Sequence, residues 1–179
     1  MIERALTYLG FRYAKLQFRA ETDTIQPLTE FFQKAQRVLV ILPVGYEDAV
    51  LAGSILRDVL RGRHISHLTV INNSTRGTPL SELPRCEVVR FNRDDINRFS
   101  LPKQPLMQRI LSRQYDVAVD MNLDFILHTA YICKASRAKV RVGCAHSAAD
   151  LFYNVQVNLK RPNSPQALYR KFAEYVAMF

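Results

Sequence analysis

Three short stretches hold the residues that can do chemistry. The first, LPVGYEDAV (42–50), sets Gly45, Glu47 and Asp48 in a turn that runs into a helix. A carboxylate there can take a proton from a hydroxyl nucleophile, which makes Asp48 the candidate catalytic base. The same two acids also suit a helix N-terminus, so a structural role stands beside the chemical one. A single glycine falls short of the dinucleotide fingerprint and of the P-loop, and the acids would repel a phosphate. The second stretch is DMNLD (120–124). Asp120 and Asn122 can hydrogen-bond a sugar hydroxyl or fix a buried turn, and Asp124 reads as a helix N-cap. The third is RVGCAHSAAD (141–150), where Gly143 permits close approach and Arg141, His146 and Ser147 can meet an anionic group. His64 and His67 have no acid or cysteine at metal-ligand spacing, so no metal site is expected, and no cofactor motif is present.

These stretches need elements to hold them. RVLVILP (37–43), HLTVINN (67–73), CEVVRF (86–91), YDVAVDMN (115–122), AKVRVGC (138–144) and YNVQVNL (153–159) read as strands, the first and fourth buried and the last alternating. Helical patterns lie between them: EDAVLAGSILRDVLRG, a short one from Leu106 to Ser112, and DFILHTAYICKAS. Ser164-Pro165 is an N-cap and first-turn proline for a last helix with Leu168, Phe172, Tyr175, Val176 and Phe179 on one face. The stretch 92–105 reads as loop. Strands alternating with helices imply an α/β, Rossmann-like, three-layer domain, with a mainly parallel, doubly wound sheet of about six strands. Ligands in such sheets bind beyond the carboxyl ends of the strands, where all three stretches fall.

Residues 1–36 form an extra helical segment ahead of that domain, which spans 37–179. At about 100° per residue, Ile2, Leu6, Leu9, Tyr13 and Leu16 share one face of a helix over 2–19. This face is expected to pack on the sheet and leave Arg4, Arg12, Lys15 and Arg19 solvated. The other reading is a basic helix that touches acidic lipid or a partner. A second helix, capped by Asp23 or Thr24, should run through Leu28, Phe31 and Phe32 to about Ala35.

Composition narrows the class. The balance is that of a soluble globular protein, with no apolar run long enough to span a membrane and no signal-peptide pattern. Three cysteines, Cys86, Cys133 and Cys144, make no paired framework and fit a reducing cytoplasm. The net charge of +9 favours anionic partners without choosing among them. Nucleic acid ranks last, since no recognition motif accompanies the charge.

Three segments carry a resemblance. RVLVILPVGYEDAVLAGSILRDVL, YDVAVDMNLDFILHTAYICKASRAKVRVG and LFYNVQVNLKRPNSPQALYRKFAEYVAMF are similar, in order and spacing, to the N-terminal domain of glycosyltransferase family nine, the ADP-heptose:lipopolysaccharide heptosyltransferases. The resemblance covers about residues 37–179 and implies half of a GT-B fold. The family's acceptor binds its N-domain, and its nucleotide sugar binds mainly the C-domain. By resemblance, Asp48 falls at the family's base position and Asp120 matches the acid of its middle motif. Glu47 stands where the family has glycine, and Asn122-Leu123 replaces Gln-Gly. The chain ends at Phe179, where the interdomain linker would begin. The resemblance therefore implies a glycan or lipid-linked anionic acceptor, and chemistry that needs a second domain or a separate donor-binding subunit. The uncovered face implies a homo-oligomer, with a dimer the expected form. The place of work would be the cytoplasm, at or near the inner face of the membrane. The alternative function is a non-enzymatic binding or scaffold protein on the same fold.

Overall fold

The computed structural model describes residues 2–21, 34–73, 77–159 and 164–178. The expected helix over 23–35 lies almost wholly outside them. Helix α1 (Ile2–Gln17) comes first, followed by strand β1 (Arg37–Ile41), α2 (Tyr46–Leu60), β2 (His67–Asn72) and β3 (Cys86–Arg90). Then come α3 (Gln104–Leu111), β4 (Val117–Asp120), α4 (Leu127–Ala135), β5 (Val140–Cys144), β6 (Val155–Val157) and α5 (Pro165–Met178). Two short 3-10 turns, Pro79–Glu82 and Arg93–Asp95, precede and follow β3, the second inside the stretch read as loop.

The six strands form one sheet in the order β3-β2-β1-β4-β5-β6, every pairing parallel. The expected doubly wound α/β domain is therefore present. Alternation along β1 splits the core in two. Val38, Val40 and Leu42 face a layer built by α2 and α5, with Leu56, Tyr169, Phe172 and Val176. Leu39 and Ile41 face the opposite layer, with Ala14 and Phe18 beside α1, Leu106 and Ile110 of α3, and Ala130 and Ile132 of α4. Strands buried on both faces explain the unbroken apolar runs.

Asp116 keys β4 beside β1. It accepts the backbone N–H groups of Gln36 and Arg37 and pairs with the Arg37 guanidinium at 2.8 Å. Burial works against the charge, but the Arg37 side chain and these N–H groups outweigh it and hold the carboxyl below its ordinary range. Helix α2 stops at Gly62, whose φ of +85° is the left-handed turn that ends helices. Ser164 caps α5 as expected, accepting the Ala167 N–H at 3.2 Å.

Helix α1 turns the other way from the sequence expectation. Its inward residues are Gly10 and Ala14, with Phe18 just beyond its end. Ile2, Leu9, Tyr13 and Leu16 are exposed instead. A β-carbon at Gly10 would overlap the Phe99 carbonyl oxygen, so the helix lies directly on backbone there. Only the small-residue side permits that approach. Phe18 then packs on Tyr131 and Phe152, and Thr7 meets Ser100 at 2.8 Å.

Candidate functional site

The β1–α2 loop is fixed from both sides by side chains at neighbouring strand ends. The Val44 N–H donates to Asn122 Oδ1 at 3.1 Å, and the Val44 carbonyl accepts from Asn73 at 3.4 Å. Gly45 then caps α2 in extended backbone. Glu47 points to solvent and Asp48 is half-buried in the first turn. Tyr169 of α5 lies close enough to Asp48 to feel the charge of its carboxylate. Burial first, then the charge of Asp48, holds that phenol well above its ordinary range. Tyr169 thus stays neutral beside Asp48.

Asp120 ends β4 and is 1% exposed. Its Oδ1 accepts the Asn122 backbone N–H at 3.0 Å and the Asn122 amide at 2.7 Å, and its Oδ2 accepts the Tyr153 hydroxyl at 2.7 Å. Burial raises the carboxyl above its ordinary value while these donors pull it down. The structure therefore places Asp120 and Asn122 under the site, where they fix the turn and the Val44 loop. Gly143 belongs to the same unit: a β-carbon there would fall 2.5 Å from the Tyr153 ring. The glycine makes room for Tyr153. Arg141 is also buried, donating to the Phe152 and Ala138 carbonyls at 2.9 and 2.8 Å.

Beyond the carboxyl ends of β4, β5 and β6 lies a cleft of about 420 Å3. Leu123, Val157, Leu159 and Leu168 give it apolar walls, and Asp124, His146 and Asn158 give it polar groups. Asp124 corrects one expectation. Helix α4 starts at Leu127 with Ile126 as its cap residue and no side-chain cap, which leaves the Asp124 carboxylate exposed at the cleft. His146 stacks on Phe125, ring centroids 5.1 Å apart and 12° from parallel, and its Nδ1 accepts the Ala148 N–H at 3.1 Å. This fixes the ring and leaves Nε2 as its second polar atom. Ser147 is exposed next to it. Cys144 lines the cleft too, with burial foremost, then Asp120 and Asp124, pushing its thiol up to about 12. It is a neutral wall, not a nucleophile.

Of the sequence candidates, His146 lines the cleft, Asp120, Asn122, Arg141 and Gly143 build the support beneath it, and Asp48 stands outside its lining, in the first turn of α2. Tyr169, Tyr153 and Leu168 were missed. Their signal in the sequence was only an apolar helix face and the end of a loop.

A family model described as a family of unknown function, DUF6913, matches residues 12–175. No curated protein matches the chain. Among solved structures, the E. coli heptosyltransferase WaaC with ADP is similar at 16% identity and a TM-score of 0.57, over 78% of this chain and 46% of that one. A glycosyl transferase family 9 structure from Veillonella parvula DSM 2008 gives 15% and 0.57, over 80% and 42%. The E. coli ADP-heptose lps heptosyltransferase II gives 20% and 0.53, over 76% and 40%. The chain spans less than half the length of each. The resemblance read from the sequence holds at the level of fold.

Proposed function

The chain belongs to the DUF6913 family, and from that premise we propose that it is a heptosyltransferase-like, acceptor-side domain. It binds the hydroxyl-bearing part of a glycan or lipid-linked acceptor beyond the carboxyl ends of its sheet. The observation that carries this reading is the Asp124–His146 cleft beyond the strand ends, with Tyr169 of α5 feeling the charges of both Asp48 and Asp124, on a fold similar to family-nine transferases. Apolar walls with a few polar groups suit a sugar ring, whose faces are apolar and whose rim carries hydroxyls. The acids favour contact with hydroxyls here, so the acceptor's anionic groups would lie outside this cleft.

In the transfer, Asp48 accepts the proton of the acceptor hydroxyl as its oxygen bonds to the anomeric carbon. The bond to the donor's nucleoside diphosphate breaks, and the diphosphate leaves with the electron pair. Holding both reactants in line needs a donor-binding surface, which a second domain or a separate subunit would supply. A transfer assay with a nucleotide-activated heptose, an oligosaccharide acceptor and a donor-domain protein tests the reading. Asp48→Asn removes the charge and keeps the size of the side chain, so acceptor binding should persist while transfer falls by about 10²–10⁴-fold. Unchanged transfer in Asp48→Asn would remove the base, and no acceptor binding by the unaltered chain would remove the reading itself.

A further inference from the structure

The outward side of α1 is the one large apolar surface that the sheet core leaves unused among the described residues. Ile2, Leu9, Tyr13 and Leu16 are 77%, 53%, 57% and 67% exposed. At about 100° per residue, they fall with exposed Ala5 in an arc of about 80°. Arg12, Lys15 and Arg4 occupy the adjoining arc, also exposed, Arg19 is exposed just past the helix end, and Glu3 is the one acid of the helix. Tyrosines stand near the borders: Tyr13 at one edge of the stripe and exposed Tyr8 among the cations. The inward side is pinned by Gly10 on the Phe99 backbone, so the stripe cannot rotate inward without breaking that contact.

We infer that α1 is a membrane-docking helix that lays this stripe into the headgroup region of an anionic bilayer. Apolar side chains on one arc with amphipathic Tyr13 at its edge, and cations beside them with Tyr8 in their midst, are the features of an interfacial helix. Charge selects the occupant. A second copy placed on the stripe would bring two cationic arcs together in a chain of net charge +9. An anionic lipid surface neutralises them. The helix stays docked on its domain, and its outer half enters the interface. This inference stands apart from the proposed transfer chemistry, because it uses none of the cleft residues.

The test uses the full chain and two vesicle preparations, phosphatidylcholine alone and phosphatidylcholine with an equal part of phosphatidylglycerol. Flotation should show binding to the anionic vesicles only, weakening as salt rises. Arg12→Gln and Arg19→Gln should each weaken the partition about fivefold, the equivalent of about 1 kcal/mol per charge. Leu9→Asn with Leu16→Asn should abolish flotation with the thermal melting curve unchanged, since both side chains are exposed. The chain has no tryptophan, so Leu9→Trp supplies a single reporter whose emission should shift to the blue on anionic vesicles. No flotation would overturn the inference. So would flotation that survives the double asparagine variant, or that leaves the Leu9→Trp emission in place, since bulk charge alone would then explain it. A dimer in sedimentation that dissolves in the double variant, without vesicle binding, would give the stripe to a second copy.

Discussion

Tyr153→Phe removes one hydroxyl and keeps the ring that Gly143 accommodates. That hydroxyl donates to Asp120 Oδ2 at 2.7 Å, where Asp120 is 1% and Tyr153 5% exposed. Oδ1 accepts two bonds from Asn122. Oxygens that only accept are the bonding pattern of an ionised carboxylate. A hydrogen bond to a charged group contributes about 1.5–3 kcal/mol, so the variant should lose about 2 kcal/mol at pH 7. For a chain of this size, that lowers Tm by about 4–8 °C. The loss should also depend on pH. Burial sets Asp120's folded pKa above its unfolded value, against the pull of Asn122 and Tyr153. The stability that comes from this raised pKa is fully present below the unfolded value and is lost as pH rises through the folded one. Without the Tyr153 hydroxyl, the folded value rises further, so the deficit grows with pH and is smaller at pH 4 than at pH 7. Urea unfolding at the two pH values reads both effects. A deficit below about 0.5 kcal/mol at pH 7, the range of an ordinary surface change, would refute the reasoning. An equal deficit at both pH values would refute it too.

Two further perturbations probe the frame. Gly10→Ala should destabilise by about 1–3 kcal/mol through overlap with the Phe99 carbonyl, although alanine is the better helix former. Faster tryptic cleavage at Arg19 would report α1 lifting off, and a variant as stable as the unaltered chain would contradict the close approach. Burial holds the His128 imidazole down at about 4. Its folded value lies below its unfolded one, so the stability it confers is present above pH ~6.5 and lost as pH falls toward the folded value. Its proton resonance should keep the neutral position at pH 5, and a midpoint at 6 or above would count against the burial.

Much of this was legible because parallel strands buried on both faces leave unbroken runs such as RVLVI and VAVD. The strand ends, and hence the loops worth searching, followed from those runs. The facing of α1 did not. Hydrophobic periodicity picked Ile2, Leu9, Tyr13 and Leu16 as the inward side, but backbone proximity at Phe99 requires glycine and alanine there. Periodicity measures apolar character and has no term for how close two backbones must come. Polar site candidates divided for a similar reason. Asp120, Asn122 and Arg141 are held inside by bonds within the chain, while Asp124 and His146 reach the cleft, and an aspartate stands in both groups. Asp124 misled as a cap because α4 begins three residues further on, at Leu127.

The strand order has a consequence for how the chain closes on itself. Every neighbouring pair in the sheet is consecutive in sequence except β1 beside β4. That single seam divides the chain into an early half with β1–β3 and a late half with β4–β6. Each half sends its outermost helix across the seam. Helix α1 of the early half lies on α4 of the late one, and α5 of the late half lies on α2 of the early one, on the opposite face. Neither half owns all the covers for its own strands. Joining them also closes long loops, which costs chain entropy. The first and last described helices therefore act as a mutual clasp, each covering strands of the other half.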